Sequence, residues 1–149
     1  MADALHYSIL NAVANAIRGL GLDGLTNDDV YVLKAYTDRE AVVNLPAIEV
    51  VLYDKERILP GTFETMWRGY PVLIVFLTVN NQDLAVREAE LKWREQVLDY
   101  FERTNVLTGV PEVWNRTIET GFIVDLELFK NKQVFSGAIL ISFWITKDR

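Results

Sequence analysis

From Val72 to Val79 the chain is apolar on both of its alternating sides, with Val72, Ile74 and Phe76 set against Leu73, Val75 and Leu77. Successive side chains of a strand point to opposite faces, so a strand apolar on both must be covered on both. That places Val72 to Val79 at the centre of a sheet, and a central strand needs neighbours. Val30 to Tyr36 reads as a short strand, and Ile48 to Tyr53 as another, with Ile48, Val50 and Leu52 on one face and Glu49, Val51 and Tyr53 on the other. In the last third, Phe122 to Phe129, a turn at Lys130-Asn131-Lys132 and Val134 to Ile145 read as a hairpin, with Gly137 expected at a bulge. The final strand has an unbroken apolar face of Ile139, Ile141, Phe143 and Ile145, and a second face of Ala138, Leu140, Ser142, Trp144 and Thr146.

Such a sheet needs helices to cover it. The strongest helical pattern runs from Asp83 to Arg103, where Val86, Ala89, Trp93, Val97, Tyr100 and Phe101 advance by three or four residues along one side. Glu88 with Lys92 and Asp99 with Arg103 are favourable pairs four apart and mark the solvated side. Leu84, Leu91 and Leu98 form a second stripe around the cylinder. Its expected neighbour is the first helix, the alternative being an adjacent subunit. That first helix is expected to start at a capping Asp3 and end at Gly19, with Leu5, Ile9, Val13, Ala16 and Ile17 facing the core. The sequence thus predicts an α+β domain of order α-β-β-β-α-β-β, with a mixed, largely antiparallel sheet of about five strands, a short N-terminal helix and one long helix packed on it.

Length and charge bound what this domain can do. At 149 residues one core is sufficient, and neither a repeat nor a low-complexity tract divides the chain, so residues 1 to 149 read as a single domain. No secretion signal or membrane anchor is expected, because the longest apolar stretch, Tyr70 to Val79, covers about half of the roughly 20 residues a spanning helix requires. Without cysteine there is no disulfide framework and no thiolate metal site. The Asn115-Arg116-Thr117 sequon carries little weight without export. A formal charge of −6 opposes nonspecific nucleic-acid binding, which requires a basic face to neutralise phosphates.

Chemistry-bearing residues are sparse, and each has a simpler reading. His6 is the single histidine and is read as a partly exposed residue in the first turns of its helix. Gly19-Leu20-Gly21-Leu22-Asp23-Gly24 has the spacing of a dinucleotide fingerprint, but it follows a helix and leads to a strand, the reverse of the required context. Asp28-Asp29 reads as turn chemistry after Thr26-Asn27, and Asp125 with Glu127 as the polar side of a strand rather than a cation site. Ser8, Ser136 and Ser142 sit in no nucleophile motif. No catalytic, cofactor-binding or metal-binding residue is assigned, and no cofactor is expected.

Attention therefore moves to surfaces. The segment from Tyr53 to Tyr70 is too long for an ordinary hairpin loop, and Pro60-Gly61 is a favourable turn centre. Its flanks, Asp54 to Leu59 and Thr62 to Arg68, are expected to continue both strands as an extended hairpin arm over residues 54 to 69. Ile58, Pro60, Gly61, Phe63, Met66, Trp67 and Arg68 would then form a partner-binding surface. The alternative is a lid folded back on the core with Trp67 buried.

This arrangement resembles the tail terminator or tail-completion (neck) proteins of long-tailed bacteriophages. The resemblance is carried by the short helix through Ile17, by Leu45-Pro46-Ala47-Ile48-Glu49-Val50 and Tyr70-Pro71-Val72-Leu73-Ile74-Val75 opening strands, by the long helix from Asp83 to Arg103, and by a closing hairpin ending Leu140-Ile141-Ser142-Phe143. It implies a non-enzymatic virion subunit, assembled in the host cytoplasm and typically six to a homo-oligomeric ring, that ends the tail tube and joins it to the head connector. Its partners would be copies of itself, the tail tube protein and a connector or neck protein. DNA would pass through the lumen without specific binding, since like charges repel. Alternatives are another neck or head-completion protein, or a small ligand-binding domain or enzyme with a pocket between helix and sheet.

Overall fold

The computed structural model describes residues 4–32, 46–52, 57–60, 65–79, 84–104, 106–120 and 134–148. Helix α1 spans Leu5–Gly19 and α2 spans Leu84–Arg103, and the strands are β1 (Val30–Val32), β2 (Ala47–Leu52), β3 (Arg57–Pro60), β4 (Thr65–Val79), β5 (Asn115–Thr120) and β6 (Val134–Asp148). The fold is α+β with a mixed sheet. Its main path runs β1-β2-β4-β6-β5, with β1 parallel to β2 and every other pairing antiparallel. A sixth strand, β3, lies off that path and pairs with β4.

Burial follows the period-two pattern. Val72, Ile74 and Phe76 of β4 join Ile48 and Val50 of β2, Val30 of β1, and Ile139, Ile141, Phe143 and Ile145 of β6 in one large cluster, which both helices share. On the opposite face Val51, Val75, Leu77 and Ala138 form a smaller cluster against which Leu73 packs. The strand expected at the centre is therefore covered on both sides and lies in the middle of the path. Glu49 is fully buried on the second face, between its register partners Tyr31 and Val75.

The two helices sit over different strands of one face. Helix α1 packs on β1, β2 and β4 through Ile9, Leu10, Val13, Ala14 and Ile17, while α2 packs on β4 and β6 through Trp93, Val97 and Phe101. Leu98 reaches the core edge, but Leu91 is 42% exposed, so α1 does not cover the expected second stripe at Leu91. The Leu84 side chain lies outside the described residues.

Local details correct the sequence reading at four places. The residue flanking the start of α1 is Ala4, which makes no side-chain cap; Asp3 itself lies outside the described residues. Gly19 is the last helical residue rather than the left-handed one. That role falls to Gly21, at φ 61°, and the turn closes at Gly24, at φ 84°. The pairing of β4 with β6 is continuous from Thr65↔Asp148 to Val79↔Val134, with Gly137 directly opposite Phe76, so the expected bulge is absent. Lastly, β5 begins at Asn115, well before the expected hairpin arm, and Phe122 to Phe129 lie outside the described residues.

Polar groups pin the ends of the elements. The Arg18 guanidinium donates to the carbonyls of Asn27 (3.2 Å) and Val30 (2.8 Å) and to Asn15 Oδ1 (2.9 Å), fastening the last turn of α1 to the start of β1. Asp29 Oδ2 accepts the Thr26 backbone N–H at 2.8 Å and, with the reciprocal bond, completes a capping box around a short 3-10 turn. Asp28-Asp29 is thus turn chemistry, as expected. At the far end of α2, Arg116 of β5 donates to the Phe101 and Glu102 carbonyls, putting a cation where the helix dipole favours one.

Candidate interaction surface

Strands β4 and β6 each run for 15 residues, longer than the remaining strands. The edge of β4 opposite β6 is shared: β2 occupies it from Val72 to Leu77, and β3 takes it over from Met66 to Gly69. Beyond Leu52, therefore, the sheet continues as β3-β4-β6, and the anticipated two-stranded hairpin is in fact backed by a third strand. Ile58 and Pro60 lie on β3, paired with Arg68 and Met66, and their side chains lie outside the described residues, as do Gly61 and Phe63 entirely. Met66 and Arg68 are half-buried. Trp67 is 38% exposed, which removes the version of a lid that buries it.

Trp67 is not alone. Trp114, which enters just before β5, is 41% exposed and meets it edge-on, with ring centroids 5.4 Å apart and planes inclined at 65°. The Trp114 backbone N–H donates to the Trp144 carbonyl at 3.1 Å, and the Trp144 indole N–H donates to Thr117 Oγ1 at 2.8 Å. Trp144, almost fully buried, lies across its register partner Gly69, whose missing Cβ leaves room for the ring. A Cβ built there would stand 3.0 to 3.2 Å from three atoms of that ring. Trp67 stands out in the sequence, whereas no pattern there marks Trp114, and Trp144 falls only on the second face of β6. The signal that joins them is the β4–β6 register, which sets Gly69 against Trp144 and cannot be read without pairing the strands.

This packing makes a checkable claim. Gly69→Ala is expected to lower stability by about 1 to 2 kcal/mol, because the indole is held by Thr117 and resists moving aside. Adding Trp144→Phe, which shortens the ring, should recover part of that loss in urea denaturation; equal losses in single and double variants would contradict the contact.

A concavity of about 430 Å³ flanks α2 and is lined by Asp23, Glu88, Lys92, Trp93, Glu95 and Asp99 among others. Trp93 ties it to the turn after α1 through a 2.7 Å hydrogen bond from its indole N–H to the Asp23 carbonyl. Lys92 pairs with Glu88 at 3.3 Å, as the spacing suggested, leaving a rim that is predominantly acidic. Among the described residues no three His, Cys, Asp or Glu side chains converge as a metal site requires. Nor, among them, is any helix long and apolar enough to cross a membrane.

Other singled-out residues have structural employment or fall outside. His6 is half-buried, donates from Nε2 to the Pro71 carbonyl at 3.0 Å, and sets its ring edge-on to Tyr70 at 5.2 Å, so it joins α1 to β4. Ser142 is buried in β6. Asp125 and Glu127 lie outside the described residues. Glu90 is not marked by the apolar pattern of the sequence. It lies on the same side of α2 as Val97 and Phe101, only 3% exposed, and neither carboxylate oxygen has a hydrogen-bond partner. Burial pushes its pKa up to about 9, so it is protonated at neutral pH. No protein-family model and no curated protein matches this chain.

Proposed function

We propose that this protein is a structural subunit of a tailed-bacteriophage virion, one that assembles into a ring, six copies being the expected number, to end the tail tube and join the tail to the head connector. The observation that carries the proposal is the exposed Trp67–Trp114 pair on the far end of the long β4–β6 ribbon, next to the β3 strand of the expected arm. Large aromatic side chains held half-open by a rigid sheet are the kind of anchor that protein interfaces bury at their centres. The α-β-β-β-α-β-β order and the family-like strand openings support the same reading. The acidic balance fits a lumen that lets DNA through without holding it. In this reading the protein acts in the virion neck, after assembly in the host cytoplasm, and performs no catalysis.

A pull-down with tail tube protein and, separately, with connector protein tests it. The wild type is expected to retain the tube protein, and Trp67→Ala with Trp114→Ala together to weaken capture by at least about thirtyfold, the loss of a hot-spot residue, with an unchanged far-ultraviolet circular dichroism spectrum. Capture of the connector alone would favour a head-completion subunit. Capture of neither protein would contradict the proposal.

A further inference from the structure

Two exposed features of the molecule differ in shape and lie far apart. The half-exposed Trp67–Trp114 pair sits at one end of the β4–β6 ribbon. Trp67, in register with Thr146, belongs to the sheet face opposite Val72, Ile74 and Phe76, which the helices cover. The concavity of about 430 Å³ is on the helix side. Its Asp23 lies in the turn after α1, which Arg18 ties to Val30, and Val30 stands beside Ile48 and Ile48 beside Phe76. Phe76 is nine residues from Trp67 along β4, about 30 Å in an extended strand. Within one chain the tryptophan pair cannot reach the concavity.

Their chemistry is nevertheless complementary. Among the described residues neither Trp67 nor Trp114 gives its indole N–H to an acceptor. The concavity supplies acceptors: Glu88 is taken by Lys92 at 3.3 Å, whereas Glu95 and Asp99 have no ion pair or hydrogen bond among those residues. Ala89 and Trp93 add apolar lining, and the volume falls in the range that receives small aromatic groups. Charge agrees in sign. The strands around Trp67 carry Arg57, Arg68 and Lys147 against Asp148 and, just before Trp114, Glu112. The concavity carries four carboxylates, those of Asp23, Glu88, Glu95 and Asp99, against Lys92. One end of the chain is therefore basic and aromatic, the other acidic and hollow.

We infer that the Trp67–Trp114 pair of one subunit seats in the concavity beside α2 of a second copy, its indole N–H groups donating to Glu95 and Asp99. This head-to-tail contact is the one that joins neighbours in the ring proposed above, and to that extent it rests on that reading. Two different surfaces meet, so the contact is heterologous and, repeated, generates a ring when successive rotations close. A hydrogen bond to an ionised acceptor is stronger than one between neutral groups, and it strengthens further once docking excludes water. Tryptophan suits the role because a large rigid ring loses little side-chain freedom on docking. Capture of the tube protein then depends on the pair because the ring does.

Because the contact uses two surfaces, it can be split between two variants. Trp67→Ala with Trp114→Ala removes the pair and keeps the concavity, while Glu95→Lys with Asp99→Lys fills the concavity, reverses its charge and keeps the pair. Light scattering coupled to size-exclusion chromatography is run on the chain alone at near-millimolar concentration, on variants that keep the wild-type far-ultraviolet circular dichroism. The wild type is expected to assemble, each variant to stay near 17.1 kDa, and their equimolar mixture to reach about twice that mass, since one intact contact remains per pair. Should a paired variant unfold, Trp114→Ala and Asp99→Lys singly make the same test, each raising the dissociation constant between copies at least about tenfold. Variants that assemble as the wild type does, or a mixture that stays at one chain, would overturn the inference and leave the pair to the tube protein. A wild type that stays at one chain by itself would overturn it as well, whereas the ring reading falls only if no ring forms with tail tube protein either.

Discussion

Phe101→Ala is expected to destabilise the protein by about 4 kcal/mol, the range found for emptying a fully buried aromatic site. Phe101 is 1% exposed, stacks edge-on with Phe143 of β6, and is the residue whose own carbonyl receives Arg116. Three elements, α2, β5 and β6, therefore meet at one residue. Truncation removes its apolar contact, leaves a cavity the rigid sheet cannot close, and loosens the helix end that Arg116 caps. Two-state urea denaturation checks the value. A loss below about 1 kcal/mol would mean that the helix end is held elsewhere, and Phe101→Leu, which refills most of the space, should recover roughly half of the loss.

Glu90→Gln should have an effect of the same order but of opposite sign, and one that grows with pH. The folded protein holds the Glu90 proton up to about pH 9, whereas the unfolded chain gives it up near the ordinary carboxyl value of 4.5. Below the unfolded value both states are protonated and the residue imposes no ionisation cost. As pH rises the unfolded state alone releases the proton and is favoured by about 1.4 kcal/mol per unit, until the folded value is reached. Relative to Glu90→Gln, the wild type should therefore lose about 3 kcal/mol of stability between pH 5 and pH 7, and roughly 5 kcal/mol by pH 9. Denaturation midpoints at those three pH values check the slope. Parallel curves for the two proteins would show that Glu90 finds a partner in solution.

How much of this was legible beforehand depended on whether a residue acts through hydrophobic period or through pairing. The strand from Val72, the apolar face from Ile139 to Ile145, and the side of α2 bearing Trp93, Val97 and Phe101 were all readable, because burial in a layered fold imposes period 2 or 3.6 on apolar residues. Strand β5 was not, since Asn115 to Thr120 is polar. Only Ile118 packs against the core, and Arg116 is placed for its charge rather than its apolarity. The end of α1 depended on which glycine turns left-handed, and several glycines follow one another there. Glu90 was overlooked because a search for apolar residues steps over a charge on the same stripe. Yet the spacing Val86, Glu90, Val97, Phe101 already put a carboxyl on the buried side.

The candidate surface was legible in part. Trp67 was singled out from the long segment before the central strand, but its neighbour Trp114 arrives from the connection after α2, 47 positions along the sequence. A contact between residues that far apart is a property of sheet order, here β4 beside β6 beside β5. The same order explains why the segment is more than a bare hairpin: β6 continues to Asp148 and supports it on its second side.

The proposed role stands most directly on oligomeric state. Light scattering coupled to size-exclusion chromatography should give the mass of a closed ring, near six times 17.1 kDa, for the protein alone or once mixed with tail tube protein. A particle that remains at the mass of one chain under both conditions would contradict the account.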